Sequence, residues 1–311
     1  MITETSFSDR YPRVELGQVV DFLDYRRRPI TASDRIPGPY PYYGANGQQD
    51  SVADFIFEEP LILLAEDGGH FDHPDRGIAY PISGKTWVNN HAHVLRPRDG
   101  LDIRYLCRVL ENYDVRPFVA GTTRSKLTKA GASRIIVPMA PLQEQRQIAA
   151  ILDQADALRA QRRASLSLLE ELGSRAFDLV VEEALSAEHD GLLRTRGAFV
   201  SERDLPLCMN TSTIRFKQAH NSCRLEYLAA WIQSAEFRRQ ITRLVTGTAQ
   251  QNFGPSHLKQ IAITIPPLCQ QERLSSHLSA ISSLQATHRT ALAELDALFA
   301  SLQHRAFRGE L

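Results

Sequence analysis

Four short stretches of this chain concentrate side chains able to read hydrogen-bonding edges or to neutralise phosphates. Tyr42, Tyr43, Asn46, Gln48 and Gln49 surround the glycines of YYGANG. Lys85, Asn89, Asn90, His91 and His93 follow in GKTWVNNHAH. Arg124, Lys126 and Lys129 lie in GTTRSKLTK, and Gln250, Gln251, Asn252 and Lys259 lie in GTAQQNFGPSHLK. Amides and guanidinium groups address base edges and cations address phosphates, so the set carries the chemistry of DNA contact. Any one member alone reads as a solvated polar turn. The set gains weight because two of its stretches are equivalent positions of an internal repeat, basic in one copy and amide-rich in the other.

Other chemistries fit less well. His70, Asp72, His73 and Asp75 sit in a loop beside a glycine pair, where surface polarity is the simpler reading than a metal centre. Strand alternation puts His91 and His93 on one face, with no third ligand close by in sequence. There is no phosphate-cradling glycine loop, no GxSxG and no methyltransferase-like Asn-Pro-Pro-Tyr, so neither a catalytic centre nor a cofactor is expected.

The elements that must position these residues are set by the repeat. Gly121-Thr122 precedes Pro141 by 20 positions, Gly247-Thr248 precedes Pro267 by 20, and the copies are offset by 126. Ile135, Ile136 and Val137, and in the second copy Ile261, Ile263 and Ile265, predict a short strand before each proline. Pro141 and Pro267 then open one long helix each. Apolar positions Ile148, Leu152, Ala155, Leu158, Leu169, Leu172 and Ala176 recur as Leu274, Leu278, Ile281, Leu284, Leu295, Leu298 and Leu302, which predicts a matched helix pair with these residues in its seam. A first helix over Pro141 to Ala184 would run about 66 Å at 1.5 Å per residue.

Ahead of the first helix the chain reads as mixed α/β. Leu61 to Ala65 predicts a buried strand, Ile78 to Ile82 and Thr86 to Val88 a hairpin about Ser83-Gly84, and Leu101 to Tyr113 an amphipathic helix. The second copy repeats a shortened version: Leu192 to Gly197 aligns with Leu63 to Gly68, and Leu225 to Leu228 with Ile103 to Leu106. Some 55 residues of the first plan, including Val14 to Gly17 and YYGANG, have no counterpart.

Composition sets the outer bounds. The 36 basic and 36 acidic residues cancel, so any basic surface must be local. Cys107, Cys208, Cys223 and Cys269 form no CxxC pair, as expected of reduced thiols in a cytoplasm. No signal peptide and no membrane-length apolar run is evident.

PLQEQRQIAAIL from Pro141 and PLCQQERLSSHL from Pro267, each behind a variable α/β region, resemble the specificity subunit of type I restriction-modification systems. YYGANG and the run from Ala65 to Pro97 are similar to one recurring type of target-recognition domain. The resemblance implies an α+β fold with two target-recognition domains separated by two long antiparallel coiled-coil helices. The boundaries are 1–140 for the first recognition domain, 141–185 for the first spacer helix, 186–266 for a truncated second domain and 267–311 for the second helix. It further implies a non-catalytic subunit whose domains each read half of a split site in double-stranded DNA. Methyltransferase subunits would dock on the helices, and restriction subunits would join through the complex. Gln270, where the first copy has Glu144, and the truncated domain depart from the pattern. A coiled-coil assembly protein that has lost DNA reading is the alternative, with a metal-dependent nuclease behind it.

Overall fold

The computed structural model describes residues 2, 3, 5, 7–72, 76–121, 125–181, 214, 216, 221–244 and 254–311. They divide into two compact units, Met1–Arg159 with Leu295–Leu311, and Ala160–Glu294.

In the first unit the chain runs β1 (Arg13–Glu15), α1 (Leu16–Val19), β2 (Val20–Phe22), β3 (Pro37–Gly44), β4 (Gly47–Val52), β5 (Phe57–Glu58), β6 (Leu61–Ala65), β7 (Ala79–Ile82), β8 (Lys85–Val88) and β9 (Ala92–Pro97). Then come α2 (Ile103–Leu110), β10 (Val119–Ala120), β11 (Lys126–Leu127), α3 (Lys129–Ser133), β12 (Ile136–Pro138) and the long helix α4 (Leu142–Val181), which continues into the second unit. An antiparallel sheet has the order β2-β9-β6-β7, and a mixed sheet the order β4-β3-β8-β5, with β3 and β8 parallel. β6 is buried at all five positions. Its alternate residues feed two cores, because successive side chains leave opposite faces. Ile62 and Leu64 join the cluster that contains Tyr105, Leu106 and Leu110 of α2, while Leu61 and Leu63 join Phe57 and Val88 of the mixed sheet. A strand covered on both faces loses polar alternation, which is why its sequence is a continuous apolar run.

One expectation fails here. Ile78–Ile82 and Thr86–Val88 do not form a hairpin: β7 pairs with β6, and β8 pairs with β3 and β5. Gly84, at φ 71°, carries the chain from one sheet to the other instead of folding it back.

The second unit contains α5 (Leu225–Gln233), α6 (Ala235–Leu244), α7 (Pro255–Leu258) and most of the long helix α8 (Leu268–Phe307). Its core is Tyr227, Trp231, Phe237, Ile241 and Leu274, with Trp231 edge-on to Phe237. The stretch expected as a strand at 261–265 is not one. Its equivalent, β12, is a strand because it pairs with β1 (Val14↔Val137). The sequence of the second copy has no counterpart of that opening segment, and among the described residues no strand pairs with 261–265, so no ladder forms there. The alignment at Leu192–Gly197 lies outside the described residues, as does the expected continuation of the first helix beyond Val181 to Ala184.

Both long helices run 40 residues, starting 126 positions apart directly after Pro141 and Pro267. They are antiparallel in each unit. In the first, Arg10 joins Glu144 to the carbonyl of Gly309, while Arg159 meets Asp296 at 2.6 Å. In the second, Arg162 lies 3.3 Å from His288, and a Cβ at Gly173 would lie 3.8 Å from Ile281. Ile148, Leu152, Leu274 and Ile281 are buried, and Leu169, Leu278 and Leu295 are half-buried. Leu158, Leu172, Leu284 and Leu298 are not in the seam: they are 47, 49, 50 and 49% exposed. A 3.5-residue seam alternates steps of three and four. After Leu152 to Ala155, a step of three, the next position is therefore Arg159, followed by Arg162, Leu166, Leu169 and Gly173. After Leu278 to Ile281 it is Gln285, then His288, Leu292, Leu295 and Phe299. The centre of the seam is polar, and following apolar residues alone steps off it.

Candidate nucleic-acid interface

Four segments of the first unit meet at one place. The turn between β3 and β4 holds Gly47 at φ 105°, and Asn46 donates from Nδ2 to the carbonyl of Gly68 (2.9 Å). Gly68 has φ 65° in the loop that follows β6. The Tyr80 hydroxyl donates to the carbonyl of Gly44, tying the same turn from β7. From the β8–β9 turn, Asn89 donates to Gln49 (3.1 Å) and accepts from the backbone of His91 (2.8 Å), while its own N–H donates to the carbonyl of Tyr43 (3.0 Å). His91 Nδ1 contacts the Asp67 carboxylate. The fourth segment arrives at β11, where the Leu127 N–H donates to the carbonyl of Glu66 (2.8 Å).

Beneath these turns lies a charge network. The Arg27 guanidinium donates to Glu66 (2.5 Å), to the carbonyl of Ala92 (2.6 Å) and to the carbonyl of Asp24 (3.1 Å). Lys126 reaches Glu66 at 2.8 Å. His93 is 1% exposed, with Nδ1 on Asp24 (2.7 Å) and Nε2 on the carbonyl of Leu127 (2.8 Å). Burial pushes the Glu66 carboxyl up, but Lys126 and Arg27 outweigh it and hold the group below the ordinary carboxylate range. Asp24 behaves likewise: burial raises it, and His93, the N–H of Val94 and Arg27 bring it below its usual value.

Asp24, Glu66 and His93 place potential ligand atoms within 4.8 Å of one another. The arrangement is unsuited to a metal ion. The Leu127 carbonyl can only accept, so His93 Nε2 carries its hydrogen, and Nδ1 is engaged by Asp24. Arg27 and Lys126 already supply the positive charge that a cation would bring. These residues hold the turns in place rather than ligate.

The residues picked from sequence separate into groups. Asn46, Gln48, Asn90 and Lys126 are exposed and His91 is half-buried, all at or beside the convergence. Tyr42 and Asn89 are corrected to internal supports. Tyr42 is 1% exposed with its hydroxyl on the backbone of Ile30, and Asn89 is 3% exposed with its amide spent on the neighbouring turn. Tyr43 packs against Tyr80 in the core between the sheets. Lys85 lies apart, over the Phe55 and Tyr40 rings and 3.8 Å from Glu58. Lys129 sits over the Phe22 ring, and Lys259 is exposed in the second unit. Arg124, Gln250, Gln251 and Asn252 lie outside the described residues, as do His73 and Asp75. Arg27, Glu66 and Asp67 were missed. The triple arginine Arg26–Arg28 and the acid pair before Gly68 are the signals that could have found them.

The model of the type I restriction modification DNA specificity domain matches residues 9–168 and 196–297, most of the chain and both copies of the repeat. The chain belongs to this family. Among type I specificity proteins, Haemophilus influenzae specificity subunit S.HindORF215P is 40% identical over 143 residues, 46% of this chain and 37% of that protein, so the aligned part spans little more than a third of the relative. The crystal structure of the type I S subunit from M. genitalium is similar at a TM-score of 0.59, with 11% identity and 96% of both chains covered, a likeness of fold. The HsdS subunit from Thermoanaerobacter tengcongensis aligns over 98% of both chains at 15% identity and a TM-score of 0.41. The first stretch matched by the specificity-domain model contains the whole turn cluster, and both stretches contain the start of a long helix.

Proposed function

We propose that this chain is the non-catalytic DNA-recognition subunit of a type I restriction-modification complex. Residues 1–140 form its recognition domain, 186–266 a shortened second one, and 141–185 with 267–311 the spacer helices. The observation that carries this reading is the convergence of four polar segments, far apart in sequence, on one surface backed by a satisfied charge network. Asn46, Gln48, Asn90 and His91 would address base edges, and Lys126 a phosphate. A cytoplasmic complex with methyltransferase subunits, joined by restriction subunits, would supply the chemistry. Docking of the methyltransferase is supported by Leu158 and Leu172 on α4 and Leu284 and Leu298 on α8. These are exposed apolar residues at equivalent places in the repeat, spaced by multiples of the heptad.

The test is duplex binding across a salt series, with methylation of host DNA mapped with and without the gene. Salt-dependent binding that weakens in Arg124→Ala/Lys126→Ala is expected, since each phosphate contact releases counterions. The exposed leucines also suit a coiled-coil assembly protein without DNA reading. Absence of salt-dependent binding, with the partner chains still captured, would select that alternative.

A further inference from the structure

The charges of the chain cancel overall, so a polyanion needs a local basic surface, and one stands beside the turn cluster. A groove of about 420 Å³ along the outer edge of β2 is lined by Asp21, Phe22, Tyr25, Arg96, Arg98 and Lys129, among others. Three cations meet two carboxylates there, Asp21 in the lining and Glu59 behind Arg96, which leaves an excess of one positive charge. Arg96 is held by Glu59 through two contacts of 2.7 Å. Arg98, 52% exposed, rests on Asp21 at 2.9 Å. Lys129 lies 5.3 Å above the Phe22 ring, with no carboxylate partner among the described residues. Tyr25 is 82% exposed, an aromatic face in solvent at the rim.

Two segments tie this groove to the cluster. Lys126 belongs to the turn cluster, and Lys129, three residues on, belongs to the groove. Asp24 and Arg27 belong to the network beneath the turns, and Phe22 and Tyr25 line the groove. We infer that the groove is a second DNA contact, carrying the phosphodiester backbone beyond the bases read by the turns. Arg98 and Lys129 contact phosphates, and Tyr25 lies against a sugar or an unstacked base. Arg96, fixed by Glu59, shapes the wall. The inference rests on the DNA-recognition reading above. It adds residues that carry no sequence information, so they act equally on every duplex.

The experiment measures binding of the full chain to a panel of duplexes across a salt series. Arg98→Gln/Lys129→Gln should bind every duplex more weakly, with the slope of log K against log salt reduced by about 0.9 per lost contact, roughly 1.8 for the pair. Arg98→Lys/Lys129→Arg should restore the slope, and Tyr25→Ala should lower affinity with the slope unchanged. Unchanged slope and affinity in the Gln pair, with the wild type binding normally, would overturn the groove assignment alone. So would displacement of the duplex by a free mononucleotide as readily as by competitor DNA, which would make the groove a small-molecule pocket. Failure of the wild-type chain to bind any duplex would sink the DNA reading itself. Matched thermal melting of all variants shows whether each loss belongs to binding.

Discussion

Gln145 and Gln271 make the same three hydrogen bonds, 126 residues apart. Each is fully buried. Gln145 accepts from the N–H of Asp102 (2.7 Å) and donates to the carbonyls of Gly100 (3.0 Å) and Ala140 (2.8 Å). Gln271 accepts from the N–H of Arg224 (2.8 Å) and donates to the carbonyls of Ser222 (2.8 Å) and Pro266 (2.8 Å). A single side chain thus clamps the start of each long helix to the start of a short one. Alongside, Tyr105 donates to the carbonyl of Pro138 and Tyr227 to that of Thr264, two carbonyls that are again 126 positions apart. The amide suits the task because it alone offers one acceptor and two donors together.

Gln145→Ala and Gln271→Ala should each destabilise the protein, at about 1–3 kcal/mol for every buried backbone group left unpaired. Urea denaturation followed by circular dichroism reads this as a lower midpoint with unchanged slope. Glutamate should be no rescue, because a carboxylate cannot donate to the two carbonyls. A midpoint within error of wild type would show that water replaces the clamp.

Seam and outer leucines should behave differently. Leu152 is fully buried, so Leu152→Asp places a charge where nothing neutralises it and should prevent folding. Leu158→Asp and Leu284→Asp alter half-exposed positions. They should keep the melting temperature while reducing co-purification of the methyltransferase. Full capture by both outer variants would remove these leucines from the docking surface.

Stability should fall with rising pH around Glu111. Its carboxyl is pushed up to about 7, first by burial and then by Asp156 and Asp153, against the pull of Arg108 at 3.0 Å. One guanidinium serves three carboxylates here. The folded state therefore holds this proton more tightly than the unfolded chain. Its contribution is complete below the ordinary value of 4.5 and is lost as pH rises through about 7. At about 1.36 kcal/mol per unit the difference is on the order of 3 kcal/mol. Glu111→Gln should flatten the slope of unfolding free energy between those values, and an unaltered slope in that variant would assign the pH dependence to other groups.

The shortened second copy should leave sequence reading lopsided. In the proposed second recognition domain, 186–266, the sequence has no counterpart of the β1 segment or of YYGANG, and among the described residues no strand pairs with 261–265. Assembled with methyltransferase subunits, the chain should yield a motif with one well-defined half and a relaxed other half, a symmetric motif through two chains, or no methylation. Single-molecule sequencing of methylated host DNA measures this. Two different, fully specified halves would show that the short domain reads DNA after all.

Local pattern was enough for part of this architecture. The repeat, the start of each long helix after its proline and the buried strand at Leu61–Ala65 follow from spacing and apolar runs, which act over a few residues. The turns that carry Asn46, Gln48, Asn90 and His91 were visible because turns announce themselves by glycine and amide content. The charge network was invisible, since Arg27 finds Glu66 39 positions away and His93 finds Asp24 69 positions away. Whether Tyr42 and Asn89 face solvent, and whether Gly84 ends a hairpin or changes sheets, depended on which strands became neighbours. The same holds for the polar centre of the helix seam. Arg159 and Arg162 look like surface residues in sequence, and only the partner helix, through Asp296 and His288, places them at the interface. Periodicity is a property of one segment, whereas burial and charge pairing are properties of two.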